Sequence, residues 1–313
     1  MGMKNKHLEH PEDSIFTSGR KGLHNILNFL EEKKSNISVK YDGAPAIVWG
    51  INPDNNRFFV GTKSVFNKVK VKINYNHYDI EENHGHVPAV ASILHLCFEK
   101  LPRIEGVYQC DFIGYGGGKK YTPNTITYKF DEIIKQNIII APHTEYLVKQ
   151  DLRDAVAVPL SCIPRVSNKT SVRFVKPAAE IHNDNESIRS KCNFARQMAT
   201  LCEFPTKSSV VNKIKKQLNA CIREGLEVTE LIQEGIAITN DVDVNVIRLW
   251  KLVESIKLEL FHYILVEDLI GCEIAGHDVD HEGYVLENKF GTFKIVDREV
   301  FSYHNFNISK NRK

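Results

Sequence analysis

The sequence predicts an α+β fold in which a β-rich domain carries an inserted all-α unit. Three observations lead there. Up to about residue 181, short apolar or alternating runs are separated by Gly, Pro, Asn and Asp, the pattern of strands joined by turns. From 182 to 270 apolar residues recur at three- and four-residue spacing, the signature of amphipathic helices. Strand character then returns in HEGYVLENKFGTFKIVD. Helical sequence enclosed by strand sequence predicts one domain from 1–181 and 271–313, with 182–270 as its insertion.

Taken in order, RKGLHNILNFLEEKK places Leu23, Ile26, Leu27 and Leu30 on one helical face. ISVKYDG, APAIVWGI, NRFFVGTKS and GVYQCDFIG read as strands, interrupted by a helix over 87–101 with Val90, Ile93, Leu94, Cys97 and Leu101 on one side. TITYKF, NIIIAP and SVRFVKP are further strands. GYGGGKK, at 114–120, lacks phosphate-loop spacing and reads as a flexible turn. Within the insertion, Ile247, Trp250, Val253, Leu260, Phe261 and Ile264 form a long apolar face. Last, two strands are predicted around a turn at Lys289-Phe290-Gly291.

Composition narrows the function classes. The 313 residues are 42% hydrophobic and 26% charged, and 41 basic against 39 acidic residues leave a formal net charge of +2. Any nucleic-acid partner must therefore be held by a local patch and not by a global field. No apolar run approaches a membrane span, and the opening MGMKNKHLEHPEDS has no signal-peptide core, which predicts a cytoplasmic protein with no membrane partner. Seven dispersed cysteines (97, 110, 162, 192, 202, 221 and 272) without a Cys-x-x-Cys pair read as reduced, buried thiols. His77, His84, His86 and His95, and His277 and His281 beside Asp278 and Asp280, match no zinc spacing and read as surface or loop histidines.

The stretch NISVKYDGAPAIVWG runs an apolar strand into Lys40-Tyr41-Asp42-Gly43. Two readings stand for these four residues. Asp-Gly is a common turn dipeptide, which makes Lys40 a solvated strand end. Alternatively Lys40 is enclosed as a nucleophile, which requires burial or a neighbouring cation to make its amine neutral, with Gly43 allowing backbone to approach a ligand.

Further elements follow in order: Gly61-Thr62-Lys63-Ser64, then Val107-Tyr108-Gln109-Cys110-Asp111, then Glu282-Gly283-Tyr284-Val285, then Phe293-Lys294-Ile295-Val296. With Lys-x-Asp-Gly, this series resembles the covalent nucleotidyltransferase superfamily of ATP-dependent DNA ligases, RNA ligases and mRNA capping enzymes. HLEHPEDSIFTSGRKG, VKYDGAPAIVWG, FFVGTKSVFNK, PNTITY and FKIVDREVF are similar to a ligase-like family from large tailed phages, which implies the host cytoplasm. The resemblance implies an adenylation domain of twisted, mainly antiparallel sheets with flanking helices; no C-terminal OB-fold of the kind many DNA ligases and capping enzymes carry is expected, since few residues follow Lys294. It implies that Lys40 attacks the α-phosphate of ATP, with Asp42 and Gly43 completing its motif. Asp111 would accept a hydrogen bond from the ribose, and Glu282 would hold Mg²⁺ or Mn²⁺. Lys63 and Lys294 would contact phosphates, Lys294 also assisting Lys40. Tyr128 is the candidate for stacking on adenine.

Two departures from the superfamily stand out. Ala44-Pro45 follow Gly43 where many ligases have arginine, and Lys294 is the only lysine of the last motif, leaving Lys289 or Arg298 to compensate. The implied function is an ATP-dependent polynucleotide ligase acting on RNA or DNA with 5′-phosphate and 3′-OH ends. A GTP-using or other nucleotidyltransferase of the same superfamily and a catalytically impaired nucleic-acid-binding protein are the alternatives. Lys207, Lys213, Lys215, Lys216 and Arg223 form a candidate phosphate-backbone patch in the insertion, set against a solvated helix face.

Overall fold

A computed structural model describes residues 8–160, 171–182, 186–267 and 270–298. The fold is mixed α+β, with several antiparallel sheets and, among the described residues, seven α-helices. In chain order the elements are α1 (Pro11–Glu31), β1 (Asn36–Lys40), β2 (Ala46–Asn52), β3 (Arg57–Gly61), α2 (His77–His84), α3 (Pro88–Lys100) and β4 (Val107–Tyr115). There follow β5 (Lys120–Tyr121), β6 (Thr127–Lys129), β7 (Ile138–Leu147), β8 (Val156–Pro159), β9 (Val172–Phe174) and β10 (Ala179–Ile181). Helices α4 (Glu186–Ala199), α5 (Ser208–Arg223), α6 (Glu230–Asn240) and α7 (Val244–His262) come next. The last strands are β11 (Ile264–Val266), β12 (Gly271–Ile274), β13 (His277–Val279), β14 (Gly283–Asn288) and β15 (Gly291–Val296). No helix among the described residues is long and apolar enough to cross a membrane.

Two compact units divide these elements. The first holds Leu8, Ile37–Ala178 and Val266–His281. Its main sheet has the order β3-β2-β4-β7-β8, with β9 added parallel to β7. Alternation along the strands feeds two apolar layers. Ile47, Trp49, Phe58, Val60, Tyr108, Cys110 and Phe112 pack with Ile80 of α2 and with Ala91, Leu94 and Cys97 of α3. On the opposite face, Val48, Phe59, Val107 and Tyr146 pack with Val65, Phe66 and Leu152. A smaller antiparallel sheet has the order β13-β12-β6-β5.

The second unit holds Glu9–Asn36, Ala179–Leu265 and the segment from Glu282 onward. α7 lies at its centre and buries ten residues around its circumference, Trp250 and Lys257 among them. α1, α4, α6 and β15 all pack on it. β14 and β15 form a hairpin with Asn288 opposite Gly291, so Lys289-Phe290 is the turn.

These units cut the chain elsewhere than at 181/182 and 270/271. α1 and the β14–β15 hairpin belong with α4–α7. The physical reason is that α1 carries an apolar stripe, with Leu23, Ile26, Leu27 and Leu30 buried, which other helices cover. A change of periodicity along a chain marks a change of element type and not which elements share a core. α1 also starts earlier than its apolar stripe suggested, at Pro11, whose missing N–H suits a first helical position. It kinks at Gly19 (φ +57). α2 was not anticipated, because it is short and mostly polar.

Six cysteines are unpaired, five of them buried, while Cys162 lies outside the described residues. His84, the last residue of α2, is buried, against the surface or loop reading, and His281 lies in a loop as expected but is buried there; burial lowers the pKa of both, His281 to about 4. His77 stacks on His95, whose Nε2 lies 2.6 Å from Glu81 Oε1.

A buried ionic cluster ties α1 to α7. Lys257, fully buried, bonds Glu12 Oε1 at 2.8 Å, and Arg298 reaches Glu12 and Asp13 at 3.1 Å each. Trp250 Nε1 donates to Asp13 at 3.0 Å. Removing one partner of such a cluster strands the other charge without water. Lys257→Ala is therefore expected to lower stability by about 3 kcal/mol or more, read from the urea midpoint; an unchanged midpoint would show that the cluster contributes nothing net.

Candidate active site around Lys40

β4 is the floor of the site. Its alternation sends Tyr108, Cys110 and Phe112 into the layer against α3, and turns Gln109 and Asp111 to the other face. Asp111 stands opposite Ala46 of β2 and Ala141 of β7, small residues that leave room above the carboxylate. A β-bulge sits beside it: Gln109 pairs with Thr144 and Cys110 with Pro142, so His143 is the extra residue.

Lys40, the last residue of β1, brings its Nζ to 3.5 Å from Asp111 Oδ2, with side chains 17% and 7% exposed. The enclosed reading of Lys40 is the one this geometry favours over a solvated strand end. Ser38, two residues earlier, donates its hydroxyl to the His143 carbonyl at 2.7 Å and fixes β1 against β7. The following turn is clamped on both sides. Ala44 N–H donates to Phe112 O at 3.0 Å, and Phe112 N–H to Pro45 O at 3.1 Å. Asn124 donates to Asp42 Oδ2 at 2.6 Å, and Tyr128 donates its hydroxyl to Asp42 O at 2.7 Å. A Cβ on Gly43 would meet Phe112 O at 2.5 Å, so only glycine permits this approach.

His143 completes a polar nest. Its Nε2 lies 3.8 Å from Asp111 Oδ1 and 3.4 Å from Gln109 Nε2, and its Nδ1 lies 2.7 Å from Thr144 Oγ1. Tyr146 donates its hydroxyl to Gln109 Oε1 at 2.7 Å, which turns the Gln109 amide NH₂ toward the imidazole. Burial lowers His143, an effect that Asp111 partly opposes. Burial alone pushes the Asp111 carboxyl up, but Lys40, His143 and Lys63 outweigh it and bring the carboxyl down to about 2.

Most residues singled out in the sequence fall in this unit. Lys40, Asp42, Gly43 and Asp111 meet as described, and Lys63 opens a 3₁₀ turn (Lys63–Phe66) near enough for its charge to act on Asp111 and His143. Tyr128 does not offer a stacking face: it is 1% exposed, packs edge-on against Tyr41 at 5.4 Å, and holds the Asp42 carbonyl instead. Gln109, Ser38, Asn124 and His143 were missed. The alternation that turns Asp111 away from the apolar layer would have found Gln109, whereas His143 depends on a bulge that leaves no mark in the sequence.

Glu282 and Lys294 belong to the second unit. Glu282 precedes β14, and Lys294 stands opposite Val285 on β15 with its N–H on Glu9 O at 3.1 Å. Neither proposed stand-in for a second lysine is suited to that role. Arg298 is committed to Glu12 and Asp13, and Lys289 to Glu32 at 2.7 Å. The α5 patch divides as well. Lys213, Lys216 and Arg223 share one exposed stripe and Lys207, also exposed, precedes the first turn without a side-chain capping bond, but Lys215 turns to Glu9 at 3.6 Å.

A cleft of about 1430 Å³ opens elsewhere in the first unit, lined by Asp54, Glu105, Glu145, Asp151 and Asp154 among others. It does not include Lys40, and its carboxylates repel a triphosphate.

Residues 5–241 and 230–310 match the family of unknown function DUF6267, and the chain belongs to that family. Neither the curated proteins nor the solved structures yield a match.

Asp111 gives the nest a pH signature. Its folded value of about 2 lies below the ordinary 3.8, so its stabilisation is complete above about pH 4 and is lost as pH falls toward 2. That loss is on the order of 2 kcal/mol. Asp111→Asn should flatten this part of the stability profile in acid unfolding, and an equally steep fall in the variant would show that Asp111 is not held down.

Proposed function

We propose that the protein is an ATP-dependent polynucleotide ligase that works through a covalent nucleotide on Lys40. The observation that carries the reading is the Lys40–Asp111 pair, 3.5 Å apart in a nest closed by the Asp42-Gly43 turn. An exposed turn lysine needs no partner, no bulged histidine beneath it and no clamp on the residues that follow. A ligase-type adenylation fold is part of the same proposal, supported by a lysine at the end of one strand facing an acid on a strand of a different sheet.

The chemistry assigns work to each residue. Lys40, entering as the free amine, attacks the α-phosphorus of ATP; the P–N bond forms as the bond to the bridging oxygen breaks and pyrophosphate departs. The proton that the amine nitrogen loses passes to solvent. Asp111 orients the amine and is placed to receive a ribose hydroxyl, and Lys63 supplies positive charge where phosphate charge accumulates. In the later steps the nucleotide passes to a 5′-phosphate, and attack by a 3′-hydroxyl releases AMP.

Magnesium or manganese fits the donor set. Carboxylate oxygens of Asp42 and Asp111 lie within 4.8 Å of one another, hard ligands suited to such an ion. When bound it would neutralise charge on the leaving pyrophosphate. Glu282 and Lys294 keep in this proposal the roles that the resemblance implies, metal ligand and phosphate contact.

The test is retention of label after denaturation, following incubation with each α-labelled nucleoside triphosphate and magnesium. Label from ATP is expected, absent in Lys40→Ala and slower to appear in Lys294→Ala. Label from GTP would point to a capping-type reaction, and none from any nucleotide to a binding protein.

A further inference from the structure

The chain leaves the sheet after Gly61, passes through the 3₁₀ turn at Lys63–Phe66, and returns at Asn74, which bridges Val60. From Asn55 to Tyr78 the sequence carries Arg57, Lys63, Lys68, Lys70 and Lys72 and no acidic residue. In a chain whose net charge is only +2, this is a concentrated positive segment.

Its base is firmly held. Val60 and Asn74 exchange backbone hydrogen bonds of 3.0 and 3.1 Å, and the Asn74 side chain donates to Val60 O at 2.9 Å. Lys72 N–H donates to Ser64 O at 3.3 Å, and its Nζ reaches Asn83 O at 2.6 Å. Between those anchors, residues 67–71 are all exposed, Val69 at 77%. Lys70 sits at φ +54, a left-handed conformation that lysine rarely adopts and that costs on the order of 1 kcal/mol or more. Among the described residues neither Lys68 nor Lys70 makes an ion pair, while the Lys72 ammonium is held by the Asn83 carbonyl.

We infer that residues 67–71 form a basic finger that grips the phosphodiester backbone of a polynucleotide, Lys68 and Lys70 each contacting a phosphate. The inference rests on the ligase reading for its choice of partner and names a substrate surface for that enzyme in the same unit as Lys40. A rigid base with exposed cations suits a repeating anionic backbone, which is recognised by charge and spacing and not by sequence. Val69, 77% exposed at the tip, adds apolar contact to sugars or bases.

The experiment measures affinity across a salt series with two probes, a nicked DNA duplex with a 5′-phosphate at the nick and a 5′-phosphorylated single-stranded RNA. Each lost phosphate contact reduces the slope of log affinity against log salt by about 0.9 for duplex and about 0.7 for single strands. Lys68→Ala with Lys70→Ala should therefore reduce the slope by about 1.8 or about 1.4, and the double arginine variant should restore it. An unchanged slope, or binding by the wild type to vesicles of anionic lipid but to neither nucleic acid, would overturn the inference. The two readings fail separately: absent ATP label with a changed slope removes the ligase, and intact label with an unchanged slope removes the finger.

Discussion

The pairing of β2, β4 and β7 is the constraint on which the candidate site depends. Antiparallel register puts Asp111 between Ala46 and Ala141, and strand alternation then decides that its carboxylate and Gln109 share a face while Cys110 and Phe112 enter the core. A shift of one residue would exchange those sets and bury the carboxylate against α3. The apolar layer of Trp49, Tyr108 and Phe112 thus fixes the polar chemistry on the opposite side of the same strands.

On that floor the charges are arranged so that each compensates another. Asp111 is buried, which by itself disfavours its ionised form, yet Lys40, His143 and Lys63 together more than reverse the effect. His143 is held neutral by the same burial, and the chain from Tyr146 through Gln109 to Thr144 orients its ring. The Asp42-Gly43 turn is fastened by backbone bonds to Phe112 and by Asn124 and Tyr128. A catalytic lysine needs this kind of support, because an unconstrained four-carbon side chain samples many rotamers. The basic finger would extend the same logic outward, with a rigid base and charged tip.

Much of this was legible in the sequence. Period-2 runs located β2, β3, β4, β14 and β15, and helical spacing located α3 and α7, because each of these elements has a strongly one-sided or fully buried apolar set. Lys40, Asp42, Gly43 and Asp111, singled out by the order of their motifs and the resemblance it carries, are brought together by the fold. What escaped depends on tertiary structure: the grouping of α1 with α4–α7, the bulge that delivers His143, and the burial that turns Tyr128 from a stacking platform into a clamp. Lys215 and Arg298 are similar cases, since a lysine or arginine in a sequence gives no sign of whether an acid from a distant element will meet it.

The central claim is that the Lys40 amine becomes bonded to phosphorus. Tandem mass spectrometry of the protein after incubation with ATP and magnesium tests it most directly. The account predicts one adenylate on the peptide containing Lys40, lost in acid and retained in base as a P–N bond requires. An adenylate on another residue, or a linkage cleaved by base and stable in acid, would contradict it.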